Sequence, residues 1–170
     1  MPELKRYKQL NKRLSAIAEL VRNGASVCDV GTDHAHLPCY LARTGRYGRI
    51  CASELNPNPL EIARAEIKKQ NVDVTLIRSD GLEKIPVCDD VIIAGMGGEL
   101  IAEIVAKMPP CFKNPNLRLI TQPMTKQEDL RKGLRESGFE IILEKRIPEN
   151  NRLFTIIYAE YKGEKNDFNS

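Results

Sequence analysis

Apolar and polar positions follow two different periods along the chain. In the first segment the apolar side chains recur at three- and four-residue steps, which places them on one face of a helix. They are Leu4, Tyr7, Leu10, Leu14, Ile17, Ala18 and Val21. Asn23-Gly24 then forms a typical helix end, and residues 26–30 (SVCDV) form a short, mostly apolar run that is typical of a buried strand.

The alternation of helix-like and strand-like segments continues to residue 161. Further helices are predicted over residues 37–44, 59–70, 100–108 and 126–136. Further strands are predicted over residues 49–53, 74–77, 90–94, 117–121, 139–143 and 153–161, and a longer loop at 148–151 joins the last two strands as a hairpin. We therefore expect an α/β fold with helices on both faces of a seven-stranded, mostly parallel sheet and a C-terminal antiparallel hairpin. We expect one domain over residues 1–161, with a basic amphipathic helix at 1–23 and a polar tail at 162–170.

Composition narrows the class of protein. The chain has 170 residues, of which 42% are hydrophobic and 29% charged. No apolar run approaches the ~20 residues that span a bilayer, and the N-terminal segment lacks the apolar core of a signal peptide. Its five cysteines form no C-x-x-C pair, and its two histidines have no further cluster of ligands beside them. We therefore expect a cytoplasmic protein with no membrane segment, disulfide framework or metal site.

Basic residues cluster although the net charge is only +3. The N-terminal segment contains Lys5, Arg6 and Lys8, and a second group includes Arg43. Such groups neutralise the phosphates of nucleic acids. On charge alone, solvated helix faces are the more ordinary interpretation.

The residues that follow the first predicted strand carry candidate chemistry, because ligands of open α/β sheets bind outside the carboxyl ends of the strands. Gly31, two residues after Asp29, permits a tight turn and a close backbone approach to a ligand. A dinucleotide loop would have glycine where Asp33 and His36 stand, and a carboxylate there repels a diphosphate. The loop therefore disfavours NAD, FAD and ATP, and it suits a ligand with a positive sulfonium and an amino-acid end.

Two further acids follow the second and third predicted strands. Glu54, followed by Leu55, is placed to accept hydrogen bonds from both ribose hydroxyls. Asp80, followed by Gly81, is placed to accept one from an adenine amino group. Each acid alone is an ordinary cap or turn residue, but three acids at three consecutive strand ends indicate a nucleoside cofactor.

The fourth and fifth predicted strands end in residues suited to the floor of a substrate site. Residues 94–98 (AGMGG) contain three glycines, which bring the backbone close to a ligand, although a flexible helix start is the alternative. Gln122, beside Pro123, offers an amide donor and an amide acceptor to the same crevice.

Taken together, DVGTDHAHLP, SDGL, AGMGGEL and QP resemble the motifs of the bacterial tRNA adenine-N1 methyltransferases that act at position 22 in the D-arm. The likeness runs in order from residue 10 to residue 161. It implies a Rossmann-like class I methyltransferase domain, S-adenosylmethionine as methyl donor and tRNA as partner, and we expect a monomer. The residues implied to hold the donor are Asp29, Gly31, Glu54, Leu55, Asp80, Gly81, Ala94, Gly95, Met96 and Gly97.

The sequence departs from the family pattern at two positions. His36 stands where the family usually has tyrosine or another aromatic residue, and Ser79 stands where it usually has glycine. Family members usually continue into a helical, coiled-coil-like C-terminal domain implicated in tRNA binding, so this sequence is expected to correspond to the catalytic domain without it.

The resemblance leads to a hypothesis for catalysis. Asp33 is expected to face the crevice between donor and base, where its carboxylate accepts the proton that the methylated adenine loses, and His34 is expected to orient it. Gln122, Pro123, Lys5, Arg6, Lys8 and Arg43 are expected to contact tRNA. Two alternatives stay open, namely a class I methyltransferase with another substrate and a non-catalytic protein that binds S-adenosylmethionine or RNA.

Overall fold

The computed structural model describes residues 9–163, which contain five α-helices and seven strands. The helices are α1 (Lys12–Leu20), α2 (His36–Thr44), α3 (Pro57–Gln70), α4 (Gly98–Ala106) and α5 (Gln127–Glu136). The strands are β1 (Val27–Val30), β2 (Ile50–Glu54), β3 (Thr75–Arg78), β4 (Asp90–Met96), β5 (Arg118–Pro123), β6 (Phe139–Glu149) and β7 (Arg152–Tyr161). A short 3₁₀ turn, Pro110–Phe112, precedes β5.

All seven strands form one sheet in the order β3-β2-β1-β4-β5-β7-β6. Strands β1 to β5 pair in parallel, and β7 is antiparallel to both of its neighbours, β5 and β6. The predicted fold class is therefore confirmed. Because the chain runs outward from β1 in one direction and from β4 in the other, the strand order reverses between these two strands, which is where such sheets bind ligands.

The hydrophobic core lies on both faces of the sheet, as the apolar run of β4 requires. Val91 and Ile93 point to the face that α4 and α5 cover, whereas Ile92 points to the face that α1 and α2 cover, where it packs with Ile17 and Leu41. All five side chains are fully buried. Burying a side chain of this size stabilises the fold by about 1.5–3 kcal/mol, so both helical layers are held firmly against the central strands.

An ion pair lies at the amino-terminal ends of the parallel strands, on the side of the sheet away from the predicted site. Asp90 begins β4 and is fully buried. The Arg22 side chain donates to Asp90 Oδ1 at 2.8 Å from Nε and at 2.5 Å from Nη2. A buried carboxylate needs such a partner, so Asp90 is a structural acid at the edge away from the predicted site.

Three elements differ from the sequence-based expectation. Helix α1 begins at Lys12, because the Asn11 side chain caps it by accepting from Leu14 N at 2.8 Å; Leu4 and Tyr7 lie outside the described residues. Strands β4 and β5 continue through the residues predicted as loops and end at Met96 and Pro123.

The prediction of a longer loop in the C-terminal hairpin was also wrong. Strands β6 and β7 pair up to Glu149 and Arg152, so only Asn150 and Asn151 form the turn. Both have positive φ, 48° and 59°. Two such residues make the tight hairpin turn that matches the twist of paired strands, and asparagine tolerates this conformation well.

Two features are absent from residues 9–163. No helix among them is long and apolar enough to cross a membrane. The same residues contain no group of three or more histidine, cysteine or acidic side chains arranged to hold a metal ion.

Candidate active site

The five parallel strands end together at one edge of the sheet, and the predicted site residues follow those ends. Strand β1 is paired with β2 and β4 through Val30, which lies beside Ser53 and Ile93. Strand β5 adjoins β4, with Gln122 beside Ala94. This register brings the turn after β1, the end of β2 and the ends of β4 and β5 around a common crevice.

Asp29 is the most perturbed acid of this edge. Its side chain is buried, and it accepts a hydrogen bond from Thr32 Oγ1 at 2.8 Å. Burial raises the pKa of Asp29 from 3.8 to about 7; the Thr32 bond and the charge of Arg13 lower it, and the charge of Glu54 raises it further. A carboxyl group that titrates near neutrality beside a crevice is typical of a binding or catalytic site.

The turn after β1 requires glycine at Gly31. Its φ is +68°, and a Cβ at this position would overlap the terminal methyl group of Met96. Met96 therefore packs across the turn from the end of β4. Glycine is therefore required at Gly31 both by its positive φ and by Met96, which fills the place of a side chain.

Glu54 is held by the backbone of two loops. Its Oε2 accepts from Asp33 N at 3.2 Å, and its Oε1 accepts from Leu55 N at 3.1 Å and from Asn56 N at 3.2 Å. The residue is buried, whereas Leu55 beside it is 46% exposed. A carboxylate has about four lone-pair positions, so Glu54 retains acceptor capacity for a ribose hydroxyl.

Asp33 and His34 lie side by side on the surface of the crevice. His34 Nδ1 is 3.5 Å from Asp33 Oδ2, and the two side chains are 47% and 65% exposed. Asp33 and Ala35 have φ near +60°, which turns the chain sharply into α2. The Asp33 carboxylate is therefore accessible to a substrate, and its backbone is fixed through Glu54.

The turn after β3 holds Asp80 at the surface. Gly81, with φ +54°, packs close to Ile104 of α4. Ser79 Oγ donates to Gly81 O at 3.1 Å and accepts from Lys84 N at 3.0 Å. The Ser79 side chain therefore stabilises the turn after β3 through two hydrogen bonds to its backbone.

The glycine run at the end of β4 is bonded to the loop after β5. Gly95 has φ +77° and lies at a bulge in the pairing with β5. Gly98 N donates to Thr125 O at 2.8 Å, and Met124 N donates to Met96 O at 2.8 Å. The run therefore packs tightly against the loop after β5 rather than forming a flexible helix start.

Gln122 does not present its amide to the crevice in the expected way. The side chain is fully buried, and Oε1 accepts from Arg13 Nη1 at 2.7 Å. Nε2 donates to Pro123 O at 3.0 Å and lies 3.5 Å from Met124 Sδ. Within the described residues, Gln122 serves to hold Arg13 at the site.

Arg13 is the residue that sequence reasoning missed. The sequence pattern placed it in a basic run of the N-terminal helix and gave no signal that its side chain reaches the end of β5, 109 positions away. Only the packing of α1 across the sheet brings the two residues together.

Of the remaining predicted substrate contacts among the described residues, Pro123 ends β5 at this edge and Arg43 lies away from it. Arg43 lies near the end of α2 that points away from His36, about 10 Å along the helix axis. Its side chain bonds Gln70 and lies over Tyr40. The structure therefore separates Arg43 from the crevice, and Lys5, Arg6 and Lys8 lie outside the described residues.

Comparisons with known proteins agree with this geometry. The family model "Methyltransferase domain" matches residues 10–157. A Bacillus subtilis protein named tRNA (adenine(22)-N(1))-methyltransferase is 34% identical over 94% of this chain and 67% of its own length. The crystal structure of the B. subtilis M1A22 tRNA methyltransferase TrmK superposes with a TM-score of 0.85 at 32% identity, over 92% of this chain and 68% of that one.

A third relative was solved with a ligand. The crystal structure of Streptococcus pneumoniae Sp1610, a putative tRNA (m1A22) methyltransferase, in complex with S-adenosyl-L-methionine gives a TM-score of 0.83 at 31% identity. The alignment covers 94% of this chain and 77% of that chain. The chain belongs to the tRNA (adenine(22)-N(1))-methyltransferase family.

Proposed function

We propose that this protein transfers a methyl group from S-adenosylmethionine to N1 of adenine 22 in the D-arm of tRNA. The observation that carries the proposal is the crevice at the carboxyl edge of the sheet. There a buried Asp29, a backbone-held Glu54 and an exposed Asp33 meet around a turn that only glycine fits. Family membership supplies the reaction class, and this crevice supplies the groups that the reaction needs.

The residues present fit the methyl donor. Gly31, with a φ of +68°, turns the chain sharply without a side chain at the end of β1, and Glu54 keeps acceptor capacity beside three backbone N–H groups. Asp29 offers a buried carboxyl group with a pKa of about 7, which can pair with positive charge once it has lost its proton. When bound, the donor would supply an electrophilic methyl group, which is bonded to its sulfonium sulfur.

Asp33 is the proposed proton acceptor. Methylation at N1 leaves positive charge on the adenine ring until its exocyclic amine releases a proton. The Asp33 carboxylate is 65% exposed and lies on the turn that Glu54 fixes. His34, 3.5 Å away, is placed to orient that carboxylate. General-base assistance of this kind contributes about 10²–10⁴-fold to a rate.

The target base must be reached outside a base pair. Adenine N1 lies on the Watson–Crick edge, so the enzyme binds an unpaired adenine or one that has left the stack, at a cost of a few kcal/mol. We propose that Pro123 and the glycine run 94–98 form the floor on which this base rests. We also propose a cytoplasmic monomer whose partner is tRNA.

The test is methyl transfer to unmodified tRNA from S-adenosylmethionine that carries a labelled methyl group, followed by nucleoside analysis. We expect 1-methyladenosine confined to the D-arm, and no incorporation into a matched tRNA with another base at position 22. Incorporation that persists in the altered tRNA would assign a different target. Donor binding without any transfer would contradict the catalytic proposal.

A further inference from the structure

The C-terminal hairpin extends past the edge of the sheet that carries the crevice. Ile157 is the first residue of β7 that pairs with β5, where it lies opposite Thr121. Residues 152–156 precede it and extend about 16 Å beyond this pair, at about 3.3 Å per strand residue. They extend in the direction in which β5 runs to its carboxyl end, because the two strands are antiparallel. The hairpin tip, defined as residues 148–153, therefore lies beside the crevice.

One aromatic ring on this hairpin contacts two arginines. Arg152 and Phe154 are two positions apart in β7 and therefore share the face of the strand that carries Ile156. Ile156 belongs to the same apolar cluster as Ile17 of α1. The guanidinium carbons of Arg152 and of Arg13 each lie 5.7 Å from the centre of the Phe154 ring, within cation–aromatic distance. The ring therefore holds both cations on the α1 side of the hairpin.

Arg13 connects this pair of arginines to the crevice. Its Nη1 donates to Gln122 Oε1 at 2.7 Å. The same nitrogen lies 3.8 Å from the point that a Cβ on Gly95 would occupy. Gly95 belongs to the glycine run on which the target base is proposed to rest. The positively charged surface is therefore continuous with the proposed position of that base.

The same surface offers open space between its charges. A cavity of about 420 Å³ lies between the start of α1 and the hairpin tip, and Lys12 and Arg152 both line it. Both side chains are exposed. Glu149 is the acid in this lining, and its Oε1 already accepts from the backbone N–H of Arg13 at 3.3 Å. With Arg13 beside the cavity, three cations stand against one acid, which favours an anionic ligand.

The spread of the three cations favours a polyanion over a small anion. Arginine binds phosphate oxygens through its planar fork of donors, and lysine binds them as a point charge. An RNA strand carries one phosphate per nucleotide, so successive phosphates can reach Arg13, Arg152 and Lys12 in turn. Since the Phe154 ring already restrains both guanidinium groups, less conformational freedom is lost when the strand binds.

We infer that the hairpin tip, together with Lys12 and Arg13, binds the backbone of the RNA strand beside the target adenine, and that Phe154 is a positioning residue for the two arginines. This inference rests on the proposed function, because RNA is the substrate proposed there. It adds a binding surface in the C-terminal hairpin, which carries none of the substrate contacts expected from the sequence.

The experiment measures filter binding of unmodified tRNA over a series of salt concentrations. Replacing Lys12 and Arg152 together with glutamine is expected to weaken tRNA binding about 10-fold or more. The slope of log affinity against log salt concentration should fall by about 1.4–1.8, because two phosphate contacts are lost. Calorimetric titration with S-adenosylhomocysteine should give wild-type affinity, which shows that the crevice is intact. Unchanged tRNA affinity and slope would overturn the inference.

Replacing Lys132 and Arg135 together with glutamine is the matched control. Both side chains are exposed near the end of α5, which leads to the amino-terminal edge of the sheet. This double variant removes the same charge from a surface away from the crevice, so we expect wild-type affinity and slope. A loss equal to that of the hairpin variant would show that net charge alone sets the affinity, and the inference would fall.

Phe154 is tested by two substitutions that leave every charge in place. Phe154→Leu removes the ring and is expected to weaken tRNA binding about threefold or more. Phe154→Tyr keeps the ring and should bind as wild type does. Wild-type tRNA affinity in Phe154→Leu, or a parallel loss of S-adenosylhomocysteine binding, would remove the positioning role.

A tethered probe tests which part of the RNA lies on the hairpin. Leu153 is 58% exposed, so Leu153→Cys can carry a hydroxyl-radical source. Cys111→Ser is made in the same protein, because Cys111 is the exposed cysteine of the described residues. We expect strand cleavage at nucleotides next to position 22. Cleavage confined to a distant arm of the tRNA would overturn the inference.

Two outcomes separate this inference from the proposed function. Methylation at position 22 together with wild-type tRNA affinity and slope in the Lys12 and Arg152 double variant would overturn the inference and leave the proposed function in place. Wild-type protein that neither binds nor methylates tRNA would overturn both.

Discussion

The backbone N–H of Asp33 donates to Glu54 Oε2 at 3.2 Å. This bond joins the turn after β1 to the end of β2, so the proposed proton acceptor and the proposed ribose acceptor are parts of one local structure. A substitution at Glu54 is therefore expected to disturb the position of Asp33 as well as the binding of the methyl donor. A change at the exposed Asp33 side chain leaves the bond intact, because the bond uses only the Asp33 backbone.

Glu54→Gln is expected to weaken S-adenosylhomocysteine binding about 10-fold or more. The carboxylate accepts from three backbone N–H groups, and an amide nitrogen in its place would face one or more of those donors. Calorimetric titration measures the effect. Glu61→Gln, at an exposed position of α3 that pairs with Arg64 at 3.3 Å, is the matched control and should bind as wild type does. Wild-type affinity in Glu54→Gln would remove Glu54 from the donor site.

Asp33→Asn is expected to retain donor binding and to lose most turnover, about 10²-fold or more. Asparagine tolerates the φ of +56° at this position at least as well as aspartate, so the turn should survive the change. Single-turnover methyl transfer to tRNA and S-adenosylhomocysteine affinity are measured on the same preparation. Parallel losses in both would make Asp33 a donor ligand, and unchanged turnover would exclude it as the proton acceptor.

The unliganded protein is expected to lose stability as the pH rises from 5 to 7. Burial raises the pKa of Asp29 from 3.8 to about 7, so in this window the folded state holds a proton that the unfolded state has released. The folded state binds more protons, and the free energy of unfolding therefore falls by about 2 kcal/mol between pH 5 and pH 7 and levels off above it. Urea unfolding of wild type and Asp29→Asn across pH 5–8 measures this, and the variant should lack the decline.

Three acids with lowered pKa values do not contribute to this window. The pKa values of Asp89, Glu144 and Glu160 are lowered, mainly by hydrogen bonds from Ser26, Arg131 and Lys162 respectively. Their stabilisation is present above the unfolded pKa values near 4 and is lost only as the pH falls below them. A decline between pH 5 and 7 that persists in Asp29→Asn would therefore contradict the assignment to Asp29.

The order of the elements and the acids at the strand ends were predictable, because both depend on local sequence. The run DVIIA has the composition of a strand buried on both faces, and β4 starts at Asp90 as predicted. Asp29, Glu54 and Asp80 followed from their positions at or just after the ends of predicted strands. These features need only the register of a parallel sheet to come together.

What the sequence did not reveal depends on contacts between distant segments. Arg13 meets Gln122 only after α1 packs across the sheet, and no local pattern encodes that packing. The hairpin was misjudged because Pro148 indicated a loop. Strand β6 is the edge of the sheet, where proline is tolerated, so the strand continues through Pro148 opposite Leu153.

Gly98→Ala is expected to destabilise the fold by about 2 kcal/mol or more. A Cβ at Gly98 would overlap the carbonyl of Lys126 and stand 2.8 Å from Thr125 O, and these backbone atoms are held by the turn into α5. Gly97→Ala is the matched control one position earlier. Its Cβ would meet the Thr125 hydroxyl at 3.3 Å, which a small rotation relieves. Urea unfolding should show a much smaller loss for Gly97→Ala, and equal losses would contradict this account of the glycine run.

Replacing Lys5, Arg6 and Lys8 together with glutamine is expected to weaken tRNA binding and to flatten its dependence on salt. Each phosphate contact removed lowers the slope of log affinity against log salt concentration by about 0.7–0.9, so the loss of three contacts lowers it by about 2 to 3. Arg43→Gln serves as the control, because Arg43 lies at the far end of α2 and bonds Gln70; it should leave the slope unchanged. Filter binding of unmodified tRNA over a series of salt concentrations gives the slopes. An unchanged slope in the triple variant would mean that these three side chains are solvated and do not contact phosphates, whereas a reduced slope in Arg43→Gln would place the RNA across a different face of the sheet.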